Sequence, residues 1–84
     1  MKLDTFLDTV AASFPSFILV EKDEEACKAT IRCFSHEMHV LVYVSPATST
    51  FTLKVLEGPG FTVTGRNIPA AIEDVLEYMH EQSK

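Results

Sequence analysis

Between Ala26 and Leu56 the apolar residues recur at every second position. Cys27, Ala29, Ile31 and Cys33 share one parity against Lys28, Thr30 and Arg32, and Phe51, Leu53 and Val55 share one against Thr50, Thr52 and Lys54. Successive side chains of a strand point to opposite faces, so this pattern predicts strands that are dry on one side and wet on the other. Met38 through Val44 departs from the alternation, because Met38/Val40/Val42/Val44 and His39/Leu41/Tyr43 are both largely apolar. A strand with two apolar sides belongs in the middle of a sheet.

The flanks carry a different period. Leu3, Phe6, Leu7, Val10 and Phe14 fall three and four apart, which predicts an amphipathic helix that Pro15 stops near Ser13. Asn67 and Pro69 announce a second helix, in which Ile68, Ala71, Ile72, Val75, Leu76 and Met79 hold helical spacing to about Met79. Phe17 to Val20 predicts a further strand, followed by an acidic turn over Lys22 to Glu25. Ser35 to Glu37 and Pro46 to Ser49 predict hairpin turns, and Gly58-Pro59-Gly60 a turn into a short strand from Phe61 to Val63.

The expected architecture is therefore one α+β domain spanning residues 1–84. It has an N-terminal helix, four to five mostly antiparallel strands and a C-terminal helix, with both helices on the same sheet face. A chain of 84 residues has material for a single core, and 46% apolar against 23% charged residues places it away from disordered composition.

The same composition narrows function. A net charge of −5 argues against general affinity for nucleic-acid phosphate or anionic lipid. No apolar run reaches bilayer-spanning length, and Asp4 and Asp8 interrupt the place where a signal peptide needs its apolar stretch, so no membrane partner and a cytoplasmic setting are expected. Two cysteines without a CxxC fit reduced thiols.

Catalytic and metal chemistry finds little footing. Cys27 and Cys33, six residues apart on one strand, would stand roughly 20 Å apart, too far to share an ion or a disulfide. His36-Glu37-Met38-His39 is one residue short of HExxH. Gly58, Gly60 and Gly65 have the wrong spacing for a nucleotide cradle. No cofactor, metal or enzymatic activity is expected.

Two surfaces remain. On the second helix Glu73, Asp74, Glu77 and Glu81 form an acidic stripe suited to a basic partner surface, or simply a solvated face. On the sheet side away from the helices, parity gathers Lys28, Arg32, His39, Leu41, Tyr43 and Lys54, leaving Leu41 and Tyr43 with no segment to cover them. The expected function is a small non-enzymatic protein-binding module, accessory, regulatory or inhibitory, and homodimeric through that face. The alternative is a nucleic-acid or anionic-ligand binder that stacks bases on Tyr43 beside the cations.

The stretch from Leu56 to Glu81, with Gly58-Pro59-Gly60, Gly65 and the helical Ala71 to Met79, resembles the closing segment of HicB-type antitoxins. The resemblance covers 26 residues, and the leading helix at Leu3 to Ser13 departs from that family's plan. It implies no functional residue here.

Overall fold

A computed structural model describes residues 1–83. The elements in chain order are α1 (Leu3–Ser13), β1 (Phe17–Asp23), β2 (Lys28–Cys33), β3 (Met38–Ser45), β4 (Thr50–Val55), β5 (Phe61–Gly65) and α2 (Ile68–Gln82). The strands form one antiparallel sheet in the order β1-β2-β3-β4-β5, so every strand pairs with its chain neighbour and β3 is central, as its two apolar sides require.

The two helices end as their sequences dictate. The Phe14 amide still donates to Val10 O at 2.8 Å, and Pro15 then removes the next donor. At the start of α2 the Asn67 side chain accepts from the Ala70 amide at 3.0 Å, while Pro69 occupies the first turn, where its missing N–H costs nothing.

Both helices lie on one face of the sheet. Leu3, Phe6 and Val10 of α1 and Ile68, Ala71, Ile72, Val75 and Met79 of α2 join a single buried cluster with Ala29, Ile31, Cys33, Val40, Val42, Val44, Phe51, Leu53 and Val55. Those sheet residues all share one parity. The opposite parity of the same strands is half-buried or exposed throughout, so no helix roofs that side.

The three hairpins from β1 to β4 repeat one solution. Their loops, Glu24–Cys27, Phe34–Glu37 and Pro46–Ser49, are of equal length, and each ends in a non-glycine residue in the left-handed region: Cys27 at φ 56, Glu37 at φ 56 and Ser49 at φ 55. A turn whose last residue is left-handed matches the right-handed twist of the flanking strands, and a residue other than glycine there carries a conformational cost of about 1–2 kcal/mol.

This geometry corrects three expectations. The first turn is Glu24–Cys27 rather than Lys22 to Glu25, so Cys27 closes a turn and is only half-buried, whereas Cys33 is fully buried as expected. Strand β1 runs on to Asp23 because a bulge between Leu19 and Glu21 resets its register, after which Glu21, Lys22 and Asp23 pair with Thr30, Ala29 and Lys28. Lys22 is kept on the helix side by Asp4 and Glu24, each at 3.1 Å. The hydrogen bond to Asp4 leads the influences that hold its ammonium above the ordinary value. Helix α2 continues past Met79 to Gln82, where the Ser83 amide and hydroxyl reach back to Met79 O.

Candidate functional site

The ladder registers lay out the open face as a grid. One row across the strands is Ile18, Arg32 and His39, extended to Leu56 by the Leu56 amide, which donates to His39 O at 3.0 Å. The next is Glu21, Thr30, Leu41, Lys54 and Thr62, and the third is Asp23, Lys28, Tyr43, Thr52 and Thr64. All six residues expected on this face, Lys28, Arg32, His39, Leu41, Tyr43 and Lys54, are brought together there. Tyr43 is 44% exposed and Leu41 half-buried.

The face is larger and more mixed in charge than the alternation alone indicated. Ile18 and Leu56, 46% and 50% exposed, extend its apolar part, and Glu21, Asp23 and Glu57 set carboxylates among the cations. Ile18-Leu19-Val20 is apolar on both parities and contains the bulge, so its facing could not be assigned by alternation. Glu57 lies outside any strand, and only its contact with His39 brings it to this face.

His39 and Glu57 make the shortest side-chain contact on the face among the described residues. Glu57 Oε1 accepts from the His39 backbone amide at 2.7 Å, and Oε2 lies 2.6 Å from His39 Nδ1. Burial, the largest single influence, pushes the Glu57 carboxyl up. The amide hydrogen bond, the ring hydrogen bond and the imidazole charge of His39 together outweigh it, and the net position is below the ordinary 4.5. A depressed carboxyl stabilises the fold fully above its unfolded-state value, and that contribution is lost as pH falls through the folded-state value. Solvent screens the contact, since both side chains are more than a third exposed, so wild type and Glu57→Gln should differ by only roughly 0.5–1 kcal/mol at neutral pH and converge as pH drops below 4.5. Urea unfolding at stepped pH checks this; a gap that persists at pH 3 would exclude the carboxylate as its source.

The other sequence-selected groups stand apart. His36 is half-buried at the far end of α2, its Nδ1 3.2 Å from Ser83 Oγ and its ring edge-on to His80 at 6.5 Å. Among the described residues no three His, Cys, Asp or Glu side chains converge as metal ligands. Glu73, Asp74, Glu77 and Glu81 are all exposed on α2, on the side of the molecule away from the open sheet face, so one flat partner surface cannot touch both. Asp74, Glu77 and Glu81 border a shallow groove of about 340 Å³ beside Phe61 and Tyr78, whose rings stack at 4.9 Å. A smaller depression of about 170 Å³ on the open face is bounded by Glu21, Asp23, Lys28, Thr30 and Leu41.

No protein-family model matches the chain, and no match was found among curated proteins or solved structures. Among the described residues no helix is long and apolar enough to cross a membrane.

Proposed function

We propose that this chain is a non-enzymatic protein-binding module of the cytoplasm, accessory or regulatory in role, and that the unroofed face of its sheet is where a protein partner docks. The observation that carries this reading is the position of the uncovered apolar groups. Leu41 and Tyr43 sit on the central strand and Leu56 lies diagonally beside Leu41, so these three form one apolar patch, with Ile18 a separate exposed apolar group two strands away on β1. An aromatic ring and aliphatic groups beside an Arg, here Tyr43, Leu41 and Arg32, are residue types enriched where proteins dock.

Nucleic acid is the weaker candidate for this face. Lys28, Arg32 and Lys54 are interspersed with Glu21, Asp23 and Glu57, which gives phosphate no net positive field to follow. Arg32 also lies 4.0 Å from Glu37. The acidic stripe on α2 is not needed for the reading.

A photo-crosslinking side chain placed at Tyr43 or Thr52 in the native host should give a covalent adduct with a protein, whether another copy of the chain or a different one. The same group at Ala11, exposed on α1, should give none. If neither sheet position yields a protein adduct, the docking face is refuted.

A further inference from the structure

We propose that the occupant of the open face is a second copy of this chain, related by a two-fold axis that runs parallel to the strands midway between β2 and β3. This rests on the docking reading above and names its partner. Such an axis exchanges β1 with β4 and β2 with β3 while preserving the rows of the grid. It sets Ile18 of one copy over Leu56 of the other, Glu21 over Lys54, Lys28 over Tyr43, Thr30 over Leu41, and Arg32 over His39 with its attached Glu57. Ile18 meets Leu56, Leu41 is covered by the Thr30 side chain, a carboxylate meets an ammonium, and a second ammonium meets a phenol ring.

Competing axes match the charges of the same grid less well. An axis along β3 stacks Leu41 on Leu41 and Tyr43 on Tyr43, but it lays Arg32 over Leu56 and gives Glu21 only Thr62. An axis perpendicular to the strands through the Leu41 row lays Arg32 over Lys28 and Ile18 over Asp23. Two sheets packed face to face keep their strands aligned within about 30°, as the first axis requires.

The charges on the face are available for this use. Among the described residues neither Glu21 nor Lys54 has an ion-pair partner, and three strand spacings of about 4.8 Å separate them within one copy. They cannot satisfy each other in cis. Four strands of about 20 Å cover a patch of roughly 400 Å² in projection, and side-chain relief brings the surface buried by both copies to about 1,200 Å², the lower end of specific interfaces.

Sedimentation equilibrium up to about 100 µM protein tests the arrangement with four chains: wild type, Glu21→Lys, Lys54→Glu and the double exchange. Both residues are exposed, and equal thermal melting of all four chains at a concentration low enough that each is monomeric separates association from folding. The expected result is a wild-type dimer, at least about tenfold weaker association in either single variant, and recovery to within about threefold of wild type in the double exchange. A monomeric wild type, single variants that associate as wild type does, or a double exchange no better than the singles would each overturn the proposal. None of these would touch the docking reading, which stands or falls on a protein adduct at Tyr43 or Thr52.

Discussion

Truncating Phe6 to alanine should cost about 3–5 kcal/mol and lower the melting temperature by roughly 15–30 °C. The ring is fully buried, and it meets Phe51 of β4 at 5.1 Å with the planes tilted by 58°. It is the largest group with which α1 reaches into the sheet, alongside Leu3 and Val10. Removing it deletes the contact and leaves a void that a five-stranded sheet cannot collapse to fill. A chain of 84 residues holds on the order of 4–13 kcal/mol in total, so the loss is a large share of the whole. Phe34→Ala, at a residue 51% exposed in a hairpin loop, should stay within about 0.5 kcal/mol. Thermal denaturation followed by circular dichroism separates the two. A Phe6→Ala melt within a few degrees of wild type would mean that α1 does not roof the sheet.

The second large effect is expected at Gly58. Its φ of +77° lies where side chains are disfavoured, and a Cβ there would stand 2.8 Å from Tyr78 Oη and 3.3 Å from Gln82 Oε1. The Tyr78 hydroxyl cannot simply withdraw. It accepts from the Gly60 amide at 3.1 Å and donates to Glu57 O at 3.3 Å, and its ring is stacked on Phe61. Gly58→Ala should therefore cost about 2–3 kcal/mol, of which the left-handed backbone accounts for about 1–2. Gly60, at φ +99° with nothing within 4 Å of its would-be Cβ, should show the backbone part alone. A double-mutant cycle with Tyr78→Phe isolates the remainder. If Gly58→Ala costs the same with and without the hydroxyl, the steric explanation fails. The turn also carries Glu57 to His39, so its distortion should reach the open face.

Much of the architecture was legible because it rests on periodicity. The alternation in β2 and β4, the two-sided β3 and the helical spacing at Leu3 to Val10 and Ile68 to Met79 each named its element and its buried side. The strand ends were less legible for a physical reason. Lys22 and Asp23 have turn composition, but here they are ladder residues of an edge strand, where charge is tolerated because one side of the backbone faces water. Cys27 kept the parity of a core residue while its backbone sits in a left-handed turn. The basic and aromatic half of the open face followed from parity alone. Its acidic half did not, because Glu21 and Asp23 reach that face only through the bulge, and Glu57 only through a contact with a residue eighteen positions away.

The strict nearest-neighbour order of the sheet also shapes how the chain can acquire its structure. Each ladder closes over a short loop, so the entropy surrendered at every pairing step is small and the meander can zip up strand by strand from any of its hairpins. The contact between α1 and α2 is different, since it joins the two ends of the sequence and repays its loop-closure cost only once the strands between them are in place. The sheet is then the early scaffold and the helical layer the late clasp, which closes over one side of the meander and leaves its other side bare.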